Sequence, residues 1–384
     1  MADTSSRQPG GDELRRSPLH DAHTAAGARF ASFGGWAMPV EYDGGGTLAE
    51  HAAVRERVGL FDVSHLGTVL VRGEGALDHV DSVLSNALDR VADSQAQYTL
   101  CLAPDGGIVD DLIVYRVSPE DLVLVPNAAN AAAVVAALRE RAPAGVVVDD
   151  VHGDVAVLAV QGPRADAVMA AAGLAHGHGY MSFVLAGETG PRERTVVCRT
   201  GYTGERGYEV LVPADRAAEL WRTLHEAVLA EGGRPAGLGA RDTLRTEMGY
   251  PLHGNDIGAD VTPVQAGLGF AVGWAKPEFV GRDAVVAEKE AGPARRATGL
   301  LSLGRGVPRA GMAVHRADGD GLGERVGTTT SGTFSPTLRA GVALALLDTA
   351  AGLKADDEVA VDVRGRALRC RVTRPPFVAS HVRD

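Results

Sequence analysis

The chain of 384 residues is poor in cysteine and has no long apolar runs. Its three cysteines, Cys101, Cys198 and Cys370, lie far apart, which argues against a disulfide framework or a zinc site. Such cysteine usage is typical of a reducing cytosol, so we expect a cytoplasmic protein without a bound metal. No run of about 18 apolar residues occurs, and we therefore predict no membrane span.

Basic clusters are also missing. The formal net charge is -11, with 38 lysines and arginines against 49 aspartates and glutamates. Proteins that bind nucleic acid neutralise the phosphate backbone with clustered basic side chains. The composition therefore argues against a nucleic-acid partner.

The length and the 45% of hydrophobic residues predict two or three domains, each with a sizeable core. The first 16 residues are polar, carry Asp3, Asp12 and Glu13, and lack the apolar run of a secretory signal. We expect residues 1–16 to form a disordered tail and residues 17–288 to form an α+β region. Residues 289–297 contain Ala, Gly and Pro and are predicted to be a linker.

A β-hairpin is predicted in the middle of this region. Residues 98–103 form a short apolar run, the sequence PDGG at 104–107 is typical of a turn, and residues 108–117 form a second apolar run. A third strand is predicted at 122–125.

Two adjacent acids, Asp110 and Asp111, interrupt the second strand of the hairpin. Because side chains alternate between faces, Asp111 shares a row with Ile113 and Tyr115, and Asp110 shares one with Ile108 and others. A carboxylate buried in an apolar row costs several kcal/mol unless it is paired. At least one of the two is thus expected to have a function, unless one face is exposed or an aspartate caps the turn; the pattern does not say which.

Two strand–glycine–helix units look alike, at residues 68–88 and 155–172, and they predict two related α+β halves. A second hairpin is predicted over 194–199 and 208–212, with a turn rich in glycine. Glu209 stands near the start of its second strand. Six short strands beyond residue 298 predict a small β-barrel or sandwich.

Other local predictions concern single segments. Residues 47–58 have helical spacing, with Thr47 and Glu50 placed as a capping box. Residues 270–274 are predicted to be a strand and 331–338 an exposed loop. Asp62 and His65 suggest acid–base chemistry, although a lone histidine is more often a hydrogen-bonded structural residue.

Seven motifs in order resemble the T-protein family of the glycine cleavage system, the tetrahydrofolate-dependent aminomethyltransferases. The motifs are GWAMP at 35–39, FDVSH at 61–65, GGIVDDL at 106–112, QGP at 161–163, RTGYTGE at 199–205, GLGARD at 237–242 and TSGTFSPTL at 330–338. They span nearly the whole chain after the tail. The resemblance implies a multi-subdomain α+β fold around a folate cavity, with a C-terminal small β-barrel at residues 298–379.

The resemblance also implies a reaction. The one-carbon unit of an aminomethyl group, carried on the lipoyl arm of the H-protein, passes to tetrahydrofolate as co-substrate. The expected products are ammonia, dihydrolipoyl H-protein and 5,10-methylenetetrahydrofolate.

Site residues follow from the same resemblance. Asp111 matches the family's key acid, which stabilises cationic character and orients the reacting amine. Glu209 matches the glutamate that binds the pterin, and Arg241 an arginine of the folate site. The remaining implied folate contacts are Tyr98, Tyr115 and Asn127. We assign Asp110 a structural role only.

Two other functions compete with the transferase. A folate-binding accessory protein of the same fold would lack activity, but its relatives carry a Lys-Gly-Cys motif, which none of the three cysteines here completes. A folate-dependent demethylase would need a flavin domain, and the chain has no dinucleotide fingerprint.

Overall fold

The computed structural model describes residues 14–186, 194–319 and 321–384. Residues 1–13 of the predicted tail lie outside this range. Arg15–Arg16, at the end of that segment, form a short strand parallel to the strand Trp36–Tyr42.

The secondary structure is mixed along the first three quarters of the chain and almost purely β after it. The strands before the C-terminal region are β1 (Arg15–Arg16), β2 (Ala28–Phe33), β3 (Trp36–Tyr42), β4 (Gly59–Asp62), β5 (Val69–Arg72), β6 (Gln95–Leu102), β7 (Ile108–Ser118), β8 (Asp121–Val125), β9 (Val147–Asp150), β10 (Val155–Gln161), β11 (Phe183–Ala186), β12 (Thr195–Cys198), β13 (Gly207–Pro213) and β14 (Arg234–Pro235). The α-helices are α1 (His20–Ala25), α2 (Gly46–Glu56), α3 (Ala76–Val83), α4 (Ala131–Glu140), α5 (Ala165–Ala171), α6 (Ala217–Ala230), α7 (Leu238–Met248) and α8 (Arg282–Ala291). None of the described helices is long and apolar enough to cross a membrane.

Two sheets pack face to face and form the centre of the molecule. One has the order β6-β7-β8-β5-β9 and the other the order β11-β12-β13-β10-β4-β14. Apolar side chains from both sheets meet in one buried cluster, with Tyr115 and Val123 from the first and Phe61 and Leu211 from the second. Helices α3 and α4 cover the outer face of the first sheet, and α5 and α6 that of the second. Side chains on the inner faces are therefore held between two rigid layers.

The predicted central hairpin is confirmed, because β6, β7 and β8 pair in antiparallel order. Its register shifts near the turn: Cys101 pairs with Asp110, whereas Leu102 pairs with Ile108, so Val109 is an extra residue. Such a bulge reverses the alternation of faces beyond it. The predicted row that joined Asp110 to Ile108 is therefore wrong, and Ile108 packs in a separate cluster.

Two other local predictions are wrong for tertiary reasons. Thr47 and Glu50 form no capping box, because the Glu50 carboxylate accepts the backbone N–H groups of Tyr42 (2.6 Å) and Gly237 (2.9 Å) instead. The segment predicted as a strand at 270–274 begins with a 3-10 helix, Gly269–Ala271. In both cases contacts with distant residues override the local pattern.

The C-terminal region is a closed six-stranded barrel, which confirms the expected α+β fold with a C-terminal small barrel. Its strands are β15 (Arg295–Ser302), β16 (Ala313–Asp318), β17 (Gly321–Ser335), β18 (Ala340–Asp348), β19 (Glu358–Val363) and β20 (Arg366–Thr373). The predicted linker at 289–297 is shorter than expected, since α8 runs to Ala291 and β15 begins at Arg295.

The predicted exposed loop at 331–338 is wrong over its first half, because residues 331–335 belong to β17. Ser331 and Ser335 are buried and donate hydrogen bonds to Asp256 (2.7 Å) and Glu247 (2.5 Å). Polar composition suggested exposure, but these hydroxyls satisfy buried carboxylates. They join the barrel to α7 and the segment after it.

Candidate active site

The predicted site residues come from both central sheets and face the space between them. On β7, Ile113 and Tyr115 pack in the cluster between the sheets, while Leu112 packs in the outer cluster with side chains of α3 and α4. Asp111, which alternates with Leu112, therefore points inward. On the opposite sheet Glu209, Ala159 and Phe61 are paired across β13, β10 and β4 and lie in one row.

Asp111 is held by two neighbouring side chains. The Tyr98 hydroxyl donates to its Oδ2 (3.0 Å), and the Asn127 amide Nδ2 donates to its Oδ1 (2.9 Å). Burial raises the pKa of Asp111, and these two bonds together with nearby His253 oppose that rise. Burial and the Asp111 charge raise the pKa of Tyr98 well above its usual value, so its hydroxyl remains a donor. The structure thus brings three of the six predicted residues into contact.

Asp110 lies on the other side of β7 and is fully buried. It accepts hydrogen bonds from Asn127 N (2.9 Å), Asn127 Nδ2 (2.9 Å) and Asn130 Nδ2 (2.7 Å). Burial, followed by the charge of Asp111, raises its pKa to about 7. The two aspartates therefore share one amide, that of Asn127, from opposite faces of the strand.

Glu209 and Tyr115 are joined through Thr200. The Thr200 hydroxyl donates to Glu209 Oε2 (2.6 Å) and is 3.0 Å from the Tyr115 hydroxyl. Thr200 lies in the turn between β12 and β13, and sequence reasoning assigned it no role. A threonine nine residues before the glutamate carried no signal of its own, because only the pairing of β12 with β13 brings them together.

Arg241 lies in the first turn of α7, and its Nη1 is buried with no hydrogen-bond partner among the described residues. Its guanidinium stacks over the Tyr202 ring, 4.8 Å from the centroid. Burial lowers the pKa of Arg241, and the charge of Glu209 opposes this. A buried cationic donor without a protein partner fits an acceptor group of a bound ligand.

Tyr202 lies between Asp111 and Arg241, although the sequence analysis gave it no role. Burial raises the pKa of Tyr202 most; the Arg245 and Arg241 charges oppose this rise and the Asp111 charge adds to it, so Asp111 and Arg241 both lie near its hydroxyl. Tyr202 also stacks on Tyr250 (centroids 5.7 Å apart), as Tyr98 does on Phe270 (5.8 Å). All six predicted residues therefore line one region, with flat aromatic surfaces beside its acids.

Asp62 and His65, which suggested acid–base chemistry, have other partners and surroundings in the structure. Asp62 Oδ2 lies 2.8 Å from His23 Nε2, and Asp62 Oδ1 accepts the Ser64 backbone N–H (2.9 Å). His65 is buried, and burial together with the Arg241 charge lowers its pKa to about 3. Its ring is therefore neutral and unsuited to act as a general base near pH 7.

Comparison with known families and proteins gives full-length matches. The GCVT N-terminal domain family matches residues 19–276, and the glycine cleavage T-protein C-terminal barrel domain family matches residues 295–379. A protein named aminomethyltransferase from Mycobacterium avium (strain 104) is 56% identical over 97% of this chain and 99% of its own length. A second of that name, from Parafrankia sp. (strain EAN1pec), is 56% identical over 97% of this chain and 100% of its own.

A solved structure agrees with these sequence matches. The crystal structure of glycine cleavage system aminomethyltransferase T from Bartonella henselae has a TM-score of 0.88 and 35% sequence identity. The alignment covers 96% of this chain and 99% of that chain. The similarity therefore extends over the central sheets and the barrel together.

Proposed function

Because the chain belongs to the glycine cleavage T-protein family, a family of aminomethyltransferases, we propose that it transfers a one-carbon unit from the aminomethyl-dihydrolipoyl arm of the H-protein to tetrahydrofolate. The products would be 5,10-methylenetetrahydrofolate, ammonia and dihydrolipoyl H-protein. The observation that carries this proposal is the position of Asp111, held by Tyr98 and Asn127 opposite Glu209 and Arg241.

In this proposal Asp111 stabilises positive charge and handles a proton. Loss of ammonia from an aminomethyl thioether develops cationic character at carbon, and a fixed carboxylate nearby lowers the energy of that state. The bonds from Tyr98 and Asn127 keep the carboxylate in place without neutralising it. Since burial raises the pKa of Asp111, its basicity lies closer to neutral pH, which suits proton transfer.

Glu209 and Arg241 would bind the pterin of tetrahydrofolate, whose nitrogens supply the nucleophile and carry the carbon away. A carboxylate can accept from the ring N–H and the exocyclic amino group of a pterin at once. The Thr200 hydroxyl fixes Glu209 for this contact. Tyr115 would act through Thr200, and the aromatic faces of Tyr98 and Tyr202 would position the flat ring.

Positioning of the two reactants is the second contribution of the protein. Effective molarities of well-oriented groups correspond to about 7–11 kcal/mol in the best cases. Acids held on two opposed sheets suit such a role, because the core between the sheets fixes their separation.

We also propose a cytoplasmic location and a functional division into residues 17–288 and 298–379.

The test is single-turnover formation of 5,10-methylenetetrahydrofolate and ammonia from aminomethylated H-protein, for wild type and Asp111→Asn. We expect the variant to lose about 10²–10³-fold in rate, as when one preorganised stabilising group is removed. Folate affinity, measured by equilibrium binding, should change little.

A matched control is Asp105→Asn, which removes the same charge from the exposed turn of the same hairpin. It should transfer at the wild-type rate. A wild-type protein that binds tetrahydrofolate but transfers nothing would instead support the folate-binding accessory function. An active Asp111→Asn variant would retain the transferase and refute the role of Asp111.

A further inference from the structure

His65 presents a buried nitrogen that the protein does not satisfy. The side chain is buried with the rest of the residue, and Nδ1 has no hydrogen-bond partner within the described ranges. Its backbone carbonyl accepts from the His152 ring (2.9 Å), and the Phe33 ring packs nearly perpendicular to the imidazole (centroids 5.1 Å apart). The ring is therefore fixed, yet one of its polar atoms lacks a partner, which in a native protein needs an explanation.

The sheet places His65 beside Arg241, whose Nη1 is likewise buried and without a partner. Strands β4 and β14 are parallel, with Leu60 opposite Pro235, and the Ala236 N–H donates to the Leu60 carbonyl (2.9 Å). Both segments then leave the sheet at the same end. His65 follows Leu60 by five residues and Arg241 follows Pro235 by six, so the two side chains reach the same region.

The protonation states define what these two nitrogens require. The Arg241 charge and burial both lower the pKa of His65, with His152 adding to this and Asp62 opposing it, so the imidazole stays neutral. Arginine only donates hydrogen bonds. With the tautomer that carries hydrogen on Nδ1, both nitrogens are buried donors without an acceptor among the described residues.

The nearby Glu209 indicates which acceptor fits. Glu209 stands in the sheet row that includes Ala159 and Phe61, on the same sheet as β14, with β10 and β4 between its strand and β14. One edge of a pterin carries, in sequence, a 2-amino group, the N3–H group and the 4-oxo oxygen. A carboxylate satisfies the first two groups, and the third then requires donors beside that carboxylate. The Glu209 charge acts on Arg241, and the Arg241 charge acts in turn on His65, so Arg241 lies between the carboxylate and the imidazole in this chain of neighbours.

We propose that His65, together with Arg241, donates a hydrogen bond to the 4-oxo oxygen of the folate pterin, and that His65 thereby makes the site selective for 4-oxo over 4-amino pterins. This inference rests on the proposed function, which places folate in this site. It adds His65 as a specificity-determining residue. A site built to hydrogen-bond a ligand group rejects the analogue that lacks it, because buried polar groups are then left unpaired.

The test compares two ligands that differ at carbon 4 of the pterin, folic acid and its 4-amino analogue aminopterin. Wild type should bind folic acid more tightly, measured by equilibrium dialysis. In His65→Phe, which keeps a ring but no donor, the affinity ratio should fall about tenfold, as for one lost hydrogen bond. His65→Asn, which retains an amide donor, should recover part of the preference.

His178→Phe is the matched control. His178 is another histidine with buried ring nitrogens, but it packs on Tyr208 (centroids 5.4 Å apart), whose side chain lies in the cluster beneath α5 and α6. Its replacement should leave the ratio unchanged.

The outcomes separate this inference from the proposed function. An unchanged ratio in His65→Phe, with folic acid still bound, would overturn the role of His65 and leave the transferase standing. A wild-type protein that binds neither of these ligands nor tetrahydrofolate would overturn both. Should the variants fail to fold, the ¹⁵N chemical shift of His65 Nδ1 in wild type decides: a shift on adding folic acid supports the contact, and no change refutes it.

Discussion

The substitution Asp110→Asn tests how burial of the acid pair affects stability. Asp110 is fully inaccessible, and its three hydrogen bonds come from Asn127 and Asn130. Burial and the Asp111 charge nevertheless raise the pKa of Asp110 to about 7. An asparagine side chain has the shape of the protonated acid but cannot ionise.

The sign of the effect follows from proton linkage. Between an unfolded pKa of about 3.9 and the folded value, native Asp110 holds a proton that the unfolded chain has lost. The free energy of unfolding must then fall as pH rises, by about 1.4 kcal/mol per pH unit. Since the folded pKa is about 7, the fall spans roughly three units and totals about 4 kcal/mol. Above pH 7 both states are ionised, and the loss is complete.

Urea denaturation from pH 4.5 to 8 measures this free energy in wild type and variant. We expect the wild-type value to decrease with pH relative to Asp110→Asn, and the difference to level off above pH 7. Asp111 contributes with the same sign in both proteins, because burial also raises its pKa. Asp105→Asn, an exposed change in the same hairpin, should run parallel to wild type. Parallel curves for wild type and Asp110→Asn would refute the reasoning.

Two further predictions concern Glu209 and Gly107. Glu209→Gln should weaken tetrahydrofolate binding about tenfold or more in equilibrium dialysis, because it removes a charge-assisted pair of acceptors. The control is Glu219→Gln, an exposed change on α6. Equal affinities of wild type and Glu209→Gln for tetrahydrofolate would contradict the assignment. Gly107→Ala should lower the free energy of unfolding by about 1–3 kcal/mol through overpacking, since the added Cβ would lie 2.1 Å from the Ala259 carbonyl oxygen. Gly179→Ala, with open space around the position, should leave stability unchanged. Equal melting temperatures for the two variants would contradict this explanation.

Local chemistry was sufficient to predict most strands. The turn at 104–107 combines proline, aspartate and glycines, and the apolar runs on either side of it become β6 and β7. The six short strands of the barrel follow from the same kind of signal. The bulge at Val109 left no such signal, because it depends on how the end of β7 meets the segment around Gly258 and Val261.

The family was predictable from the seven motifs, and the comparisons confirm it. Alternation alone placed Asp110 and Asp111 on opposite faces but could not assign a face to each. That assignment depends on what covers the strand: helices α3 and α4 on one side and a second sheet on the other. The contacts of Thr200, Tyr202 and His65 depend on residues that only the fold brings near them.

The two-sheet arrangement explains why the candidate site combines residues from distant parts of the chain. Asp111 and Glu209 are almost a hundred positions apart, and each is fixed within its own sheet by hydrogen-bonded neighbours. Their separation is set by the apolar cluster between the sheets, to which Tyr115 and Phe61 contribute. Because a packed core resists compression, the distance between the acids is a property of the core. In the proposed function, this fixed separation would select a ligand by length as well as by hydrogen bonding, with the pterin bound at one end by Glu209 and presented at the other to Asp111.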